Sequence, residues 1–179
     1  MKKSEIRKRI IKLRKKNYST DMKINFQSII KILRKKKQTK KIVGGYYSYN
    51  YEANILPVLE KFKKLNYIIS LPKIDKRNGM NFFTWPINDP LNINKYGIPE
   101  PITNKILYPD ILLVPLVAYD EDRNRVGYGG GFYDRYIKKI KKIKKVLTIG
   151  VAFSYQKVKK ILIEKNDIKL DFIITEKNK

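Results

Sequence analysis

Apolar residues recur along the chain at two spacings, which predict helices and strands in alternation. Apolar residues three and four positions apart predict helices over residues 1–16, from a cap at 19–21 to 36, over 52–64 and 132–145, and a short one over 156–162. Alternating or continuous apolar runs predict strands over residues 42–49, 67–71, 80–85, 110–119, 146–153 and 172–175. Between them we expect a turn at 73–78 and a long irregular connection at 86–109.

Strands alternating with helices predict an α/β fold, a three-layer α/β/α sandwich with a mainly parallel central sheet. The run at 110–119 is nearly unbroken in apolar residues, as expected of a central strand covered on both faces, with Pro115 at its end or at a bulge. Gly44 and Gly45 predict a bulge, or a close approach by a ligand, in the first strand. No repeat or linker divides the sequence, so we expect a single domain over residues 1–179.

The amino-acid composition excludes several kinds of catalytic group and metal site. The sequence contains no cysteine and no histidine, which excludes disulfides, thiol nucleophiles, imidazole bases and the usual structural zinc sites. A metal would need oxygen ligands, which suits Mg2+ or Ca2+. Proton transfer would fall to carboxylates, lysine, tyrosine, the substrate or water.

The formal net charge of +25 has two interpretations. Lysine and arginine clusters bind nucleic acid by neutralising its phosphates. Here the lysines are spread over the whole chain without a nucleic-acid motif, which favours a solvated basic surface and no specific nucleic-acid partner. No apolar run approaches the ~20 residues of a membrane span, and no signal segment begins the chain, so we expect a cytoplasmic protein without a membrane partner, and a monomer.

The candidate chemistry is concentrated between Arg125 and Arg135. This stretch, Arg-Val-Gly-Tyr-Gly-Gly-Gly-Phe-Tyr-Asp-Arg, holds four of the nine glycines between a predicted strand and a predicted helix. Such a loop exposes backbone N–H groups that attract anions; the two arginines would bind phosphate, and Asp134 would hold Mg2+ against it. The spacing is neither the Gly-Lys-Ser/Thr phosphate loop nor Gly-x-Gly-x-x-Gly, and a tight structural turn or a surface loop is the alternative.

The same stretch resembles the signature of the 5-formyltetrahydrofolate cyclo-ligase family, also called methenyltetrahydrofolate synthetase. Lys3-Ser-Glu-Ile-Arg7 is similar to the family's Lys-x-x-Leu-Arg element, and Glu52-Ala-Asn-Ile resembles its Glu-Val-Asp-Thr element. Further segments follow in the family's order: Met80-Asn-Phe82, Tyr96-Gly-Ile-Pro-Glu-Pro101, Pro115-Leu-Val-Ala-Tyr-Asp120 and Gly150-Val-Ala-Phe153. The chain departs from the family pattern at residues 53–55, Leu162 and Asn166.

The resemblance implies a site for ATP, Mg2+ and a folate. It assigns ATP to Lys3, Ser4, Arg7, Arg125, Gly127, Tyr128, Gly129, Gly130, Gly131, Phe132 and Tyr133. It assigns the folate to Tyr47, Glu52, Tyr128, Gly129, Gly130, Gly131 and Phe132. It assigns Mg2+ to Asp134 and Asp167. Arg125 and Tyr133 are the candidate catalytic residues, with packing or a nucleotide contact as the hypothesis for Tyr133.

The implied activity is ATP-dependent cyclisation of 5-formyltetrahydrofolate to 5,10-methenyltetrahydrofolate, with release of ADP and phosphate through a phosphorylated formyl intermediate. This chemistry asks mainly for positioning and charge neutralisation, which a chain without histidine or cysteine can supply. A lysine-rich surface would also attract a polyglutamate tail on the folate. The alternatives are a basic nucleic-acid or phosphate-binding protein without catalytic activity, and a ligase of this fold acting on another formamide or carboxylate.

Overall fold

A computed structural model describes residues 1–75 and 79–178 of the chain. Its α-helices are α1 (Lys3–Asn17), α2 (Phe26–Lys35), α3 (Leu56–Lys64) and α4 (Phe132–Ile143). Its strands are β1 (Ile42–Gly44), β2 (Ile68–Ile74), β3 (Met80–Thr84), β4 (Leu91–Ile93), β5 (Pro99–Pro101), β6 (Ile106–Leu107), β7 (Ile111–Pro115), β8 (Ala118–Tyr119), β9 (Arg125–Val126), β10 (Leu147–Val151) and β11 (Phe172–Ile174). Within these described ranges, no helix has the length and apolar character needed to cross a membrane.

Seven strands form one sheet in the order β11-β10-β7-β1-β2-β3-β6. The five strands from β11 to β2 are parallel, whereas at the other edge β3 pairs antiparallel with β2 and β6 pairs antiparallel with β3. The other four strands form two antiparallel pairs, β4 with β5 and β8 with β9. The predicted α/β fold with a mainly parallel sheet is therefore confirmed.

The alternation of side chains along β7 explains the three layers. Ile111 and Leu113 point into a core shared with α2 and α3, whereas Leu112 and Val114 point into a second core shared with α4. All four side chains are fully buried, because this central strand is covered on both faces. Pro115 is the last residue of β7, which agrees with the prediction that it ends the strand and not with the alternative of a bulge. A third, smaller core joins α1 to the β8–β9 hairpin.

Two helix starts were predicted wrongly. Helix α2 begins at Phe26 rather than near residue 21, because the side chain of Asn25 caps it by accepting a hydrogen bond from Gln27 N at 2.9 Å. Helix α3 begins at Leu56 with a proline in its first turn, so Glu52 lies before the helix and not in it. Glu52 therefore lies in the loop that precedes α3.

Several strand boundaries also differ from the prediction. Strand β1 ends at Gly44, well short of residue 49. Pro72 lies inside β2 instead of ending it: β1 pairs with β2 only as far as Ser70, so Pro72 has a single neighbouring strand, β3. Strand β2 extends to Ile74, and residues 76–78 of the predicted turn lie outside the described residues.

The irregular connection predicted at 86–109 contains β4, β5 and β6, so it is partly regular. The short helix predicted at 156–162 is wrong: a 3-10 turn over Ser154–Gln156 is followed by irregular chain. The backbone N–H groups that a helix would have used go elsewhere. Val158 N donates to Tyr119 O at 2.8 Å and Ile161 N donates to Asp120 Oδ2 at 3.1 Å, which ties this segment to the β8–β9 hairpin.

The glycine pair predicted within the first strand, Gly44 at the end of β1 and Gly45 directly after it, marks close packing of side chains rather than a bulge or a ligand. A Cβ atom on Gly44 would stand 2.8 Å from Leu112 Cδ1, 2.8 Å from Pro109 Cγ and 2.9 Å from Phe82 Cε1. A Cβ atom on Gly45 would stand 2.7 Å from Leu59 Cδ1. At these two positions the neighbouring side chains therefore pack directly against the backbone, and a side chain would not fit.

We expect Gly44→Ala to lower the melting temperature by roughly 3–10 °C, because overpacking a filled core costs ~1–3 kcal/mol. Thermal unfolding followed by circular dichroism measures this. The matched control is Gly127→Ala, since a Cβ atom there would meet nothing within 4 Å. Equal melting temperatures for the two variants would contradict the packing argument.

Candidate active site

A cavity of about 1100 Å³ opens beyond the carboxyl ends of the parallel strands β1 and β7. This is the edge of a parallel sheet at which ligands usually bind. Its walls come from the first two turns of α1, the segment 46–52, the β4–β5 hairpin, the glycine loop with α4, and the segment 164–167. Parts of the chain that are distant in sequence thus meet around one space.

The glycine loop, residues 127–131, needs glycine at two positions. Gly129 has φ +106° and Gly131 has φ +64°, and side chains rarely adopt this left-handed region. Gly131 is also the N-cap of α4, so the positive end of that helix faces the cavity that the loop lines. A glycine loop next to a helix N-terminus is the arrangement that the sequence predicted, and its backbone N–H groups and helix dipole would attract an anion.

Arg125 holds two parts of this wall together. It is only 7% exposed, and its Nη2 donates a hydrogen bond to Asp134 Oδ1 at 2.8 Å while Nη1 donates to Ile168 O at 2.8 Å. The backbone N–H of Ile168 donates to the same Asp134 oxygen at 3.1 Å. Burial lowers the pKa of Arg125, and the charge of Asp134 opposes that shift. The guanidinium therefore joins β9, α4 and the C-terminal segment instead of standing free for a phosphate.

Lys3 and Arg7 bring α1 to the cavity. Lys3 Nζ lies 2.5 Å from Asp167 Oδ2 and 3.2 Å from Glu164 Oε1. Burial lowers the pKa of Lys3, but the two acidic neighbours outweigh it and the net shift is upward. Arg7 Nε donates to Gly127 O at 2.8 Å, which anchors α1 to the glycine loop.

Asp134 and Asp167 have the donor chemistry that Mg2+ needs. Among the described residues, hydrogen bonds to Asp134 go to Oδ1 and those to Asp167 go to Oδ2, which leaves one oxygen of each for a cation. Residues 1–75 and 79–178 contain no cluster of three or more acidic side chains suited to a metal. This pattern fits Mg2+, which usually takes one or two carboxylates and completes its shell with phosphate and water.

Glu52 is a buried carboxylate at another wall of the cavity. It is 6% exposed, and its Oε2 accepts a hydrogen bond from Tyr49 N at 2.9 Å. Burial raises the pKa of Glu52 to about 7, against the opposing effects of the Tyr49 N–H, the charge of Arg14 and the hydroxyl of Tyr128. Burial, followed by the negative charge of Glu52, raises the pKa of Tyr128 and of Tyr133 above the usual range.

Most of the predicted site residues meet at this cavity. It is lined by Lys3, Arg7, Tyr47, Glu52, Arg125, Gly127, Tyr128, Gly129, Gly130, Gly131, Phe132, Tyr133, Asp134 and Asp167. Ser4 is exposed on α1 and is not part of this lining. The hydroxyl of Tyr133 is buried without a hydrogen-bond partner among the described residues, so it has a donor to offer to a ligand.

Sequence reasoning assigned no site role to Arg14 or to Tyr96 of the β4–β5 hairpin. Arg14 is fully buried and donates to the hydroxyl of Tyr128 and to Asn50 O. Its spacing of seven from Arg7 was the available signal, because residues two helical turns apart share a face. Tyr96, in the loop between β4 and β5, lies opposite the glycine loop with its ring centre 6.4 Å from that of Phe132. Its segment was matched to the family, but no role was assigned to it.

Comparisons with known proteins give the class of this one. The 5-formyltetrahydrofolate cyclo-ligase of Mycoplasma pneumoniae is 30% identical over 182 residues, with 98% of this chain and 99% of the relative covered. The cyclo-ligase of Haemophilus influenzae is 30% identical over 137 residues, with 73% of each chain covered. Together with the α/β fold and its cavity, these relatives define a ligase of folate one-carbon metabolism.

The structural likeness and the family match agree. The structure of Aquifex aeolicus 5,10-methenyltetrahydrofolate synthetase superposes with a TM-score of 0.77 at 30% identity, over 99% of this chain and 91% of that one. The sequence model of the 5-formyltetrahydrofolate cyclo-ligase family matches residues 1–176. The chain belongs to the 5-formyltetrahydrofolate cyclo-ligase family.

Proposed function

We propose that this enzyme converts 5-formyltetrahydrofolate and ATP to 5,10-methenyltetrahydrofolate, ADP and phosphate. The observation that carries the proposal is the joint presence, in one cavity, of an anion-binding wall with two carboxylates and of the buried carboxylate Glu52. The wall with its two carboxylates suits a nucleoside triphosphate with Mg2+, and the buried carboxylate suits a ring with N–H donors. The cavity volume of about 1100 Å³ is ample for two ligands side by side.

The nucleotide end is formed by the glycine loop and α1. Backbone N–H groups of residues 127–131 and the N-terminus of α4 bind the phosphates, while Lys3 and Arg7 supply positive charge. Lys3 exchanges part of its contact with Asp167 for a phosphate oxygen when the nucleotide binds. Asp134 and Asp167 would hold Mg2+, which when bound would supply positive charge against the phosphates. Arg125 keeps Asp134 in place and adds its charge at close range.

The folate end is formed by Glu52 and aromatic side chains. A reduced pterin ring presents an amino group and a ring N–H side by side, and a carboxylate accepts both. Tyr47, Tyr128, Phe132 and Tyr96 provide faces and edges against which a flat ring packs. Glu52 thus fixes the orientation of the ring, and the aromatic residues fix its plane.

Two displacements complete the reaction. The formyl oxygen attacks the γ-phosphorus and ADP leaves, so the formyl carbon becomes a good electrophile attached to N5. The N10 nitrogen then attacks that carbon, phosphate leaves with the former formyl oxygen, and N10 gives up its proton. The residues contribute alignment and charge neutralisation, and the Tyr133 hydroxyl donates a hydrogen bond to the oxygen that carries the developing charge.

A spectrophotometric assay with 5-formyltetrahydrofolate, Mg2+ and ATP tests the proposal through the absorbance of the methenyl product. We expect product only with ATP present, loss of product with EDTA, and one ADP formed per methenyl group. Binding of ATP without methenyl product would refute this substrate and favour another formamide or carboxylate. Absence of both, with sequence-selective nucleic-acid binding that survives physiological salt, would favour the non-enzymatic alternative.

A further inference from the structure

Arg14 is a fully buried arginine for which the proposed reaction has no role so far. It is 0% exposed, and its Nε has no hydrogen-bond partner among the described residues. A buried guanidinium is costly unless charge and hydrogen bonds compensate it. The neighbouring negative group is Glu52, whose pKa the charge of Arg14 lowers. The position of this cation is thus linked to the carboxylate proposed to bind the folate.

The hydrogen bonds of Arg14 reach three separate segments of the chain beside the cavity. Nη2 donates to Asn50 O and to the hydroxyl of Tyr128, and Nη1 makes a weak contact of 3.5 Å with Leu116 O. The guanidinium carbon also lies 5.4 Å from the centre of the Tyr128 ring, within the range of a cation–π contact. One side chain therefore holds the segment before Glu52, the glycine loop and the end of β7 together.

The turn that carries Glu52 needs such an anchor. Asn50 has φ +49° and Tyr51 has φ +61°, two successive non-glycine residues in the left-handed region. This conformation costs energy and persists only where the surroundings impose it. Arg14 holds the carbonyl of Asn50, and Tyr49 N donates to Glu52 Oε2 at 2.9 Å within the same turn. The geometry of the carboxylate depends on both contacts.

We propose that Arg14 is a positioning residue for substrate binding, holding the 49–52 turn and Tyr128 so that Glu52 presents an ionised carboxylate to the folate. This inference rests on the proposed function. Among the described residues, the side chains that interact electrostatically with Glu52 are those of Arg14 from α1, Tyr46 from the loop after β1, Tyr128 from the glycine loop and Tyr133 from α4. Arg14 is the cation of this group, so its removal raises the pKa of Glu52 further.

The test compares Arg14→Met, Arg14→Lys and the control Arg9→Met, since Arg9 is exposed on the same helix. For Arg14→Met we expect the KM for 5-formyltetrahydrofolate to rise about tenfold or more, because contacts to a charged group are lost, and the KM for ATP to change less than about twofold. The acidic limb of kcat/KM for the folate should move to higher pH. Arg14→Lys should recover part of the affinity, and Arg9→Met should match the wild type.

Calorimetric titration with 5-formyltetrahydrofolate in the absence of ATP gives a second readout. If the wild type binds the folate in this titration but forms no methenyl product in the assay with ATP and Mg2+, the proposed reaction fails, while the pH dependence of binding still tests Arg14. If the wild type does not bind the folate at all, both proposals fall. Equal rises in both KM values, with an unmoved acidic limb, would reduce Arg14 to a structural role.

Should Arg14→Met not fold, Tyr128→Phe removes the hydroxyl contact and keeps the ring. We expect this variant to weaken folate binding in the same direction, with the ATP KM nearly unchanged. A Tyr128→Phe protein with wild-type folate KM and pH profile would overturn the inference.

Discussion

Replacing Arg125 by alanine is expected to lower kcat at least about 10³-fold and to destabilise the protein by about 2–4 kcal/mol. The guanidinium is buried and bridges Asp134 Oδ1 and Ile168 O. Its removal breaks the salt bridge to Asp134 and releases the segment that carries Asp167. Both proposed Mg2+ ligands then lose their alignment with the phosphates, which a phosphoryl-transfer site cannot tolerate.

Arg125→Lys separates charge from geometry. Lysine keeps the positive charge, but a single ammonium group cannot reproduce the planar fork that reaches both Asp134 and Ile168. We expect this variant to keep most of the stability and to lose about 10- to 100-fold in kcat. Methenyl formation and thermal unfolding measure the two effects. The control Arg34→Ala removes an exposed arginine from α2 and should change neither. A folded Arg125→Ala protein within tenfold of wild-type kcat would contradict the role given to this residue.

The central part of the fold was predictable because its signals are local. The apolar run at 110–119 predicted a strand covered on both faces, and its first half is β7, an inner strand of the observed sheet. The prediction was wrong beyond Pro115, because the chain leaves that sheet and residues 118–119 pair with β9 as β8. The glycine loop followed by a basic helical pattern similarly indicated a strand, a turn and a helix start in the right order. In both places local propensity and tertiary position agree.

The boundaries failed where tertiary contacts choose between equivalent local options. Residues 19–21 and Asn25 all offer capping side chains, and the packing of Ile24 and Phe26 into the core selects the later one. The segment 156–162 has a helical pattern, but its backbone donors pair with the β8–β9 hairpin. No property of the local sequence decides such a competition.

The sequence predicted most of the residues that line the cavity, but not which of them pair with one another. Lys3, Arg125, Asp134 and Asp167 were assigned to ATP and Mg2+, but the pairs Lys3–Asp167 and Arg125–Asp134 follow only from the way the chain returns to the cavity. The burial of Arg14 was hidden for the same reason, although its spacing from Arg7 places both residues on one face of α1. A helix with basic residues on several faces does not indicate which of them is buried until its packing partner is known.

Glu52→Gln is expected to impair the enzyme and to stabilise the fold at the same time. The amide keeps the size of the side chain and the hydrogen bond from Tyr49 N, but it replaces one acceptor oxygen with a donor. A pterin edge with two donors then meets an NH2 group, so we expect the KM for the folate to rise about 100-fold, with little change in the KM for ATP. The methenyl assay measures both constants.

The stability effect follows from the direction of the pKa shift. Burial raises the pKa of Glu52 to about 7 from its ordinary value of 4.5, so the folded state binds the proton more tightly than the unfolded state. Stability linked to this proton is fully present below pH 4.5 and is lost as the pH rises through 7. At pH 8 the ionised carboxylate therefore costs the wild type up to about 3 kcal/mol that the amide avoids.

Urea unfolding at pH 4.5 and pH 8 compares the wild type with Glu52→Gln, and the difference between the two proteins removes the contribution of the other titrating groups. We expect the variant to gain about 1–3 kcal/mol on going from the lower to the higher pH. The control Glu60→Gln alters an exposed carboxylate on α3 and should show no such gain. A pH-independent difference for Glu52→Gln would mean that Glu52 is not desolvated. If the folate KM rises without that pH-dependent gain in stability, the substitution acts only on the contacts between the enzyme and the bound folate.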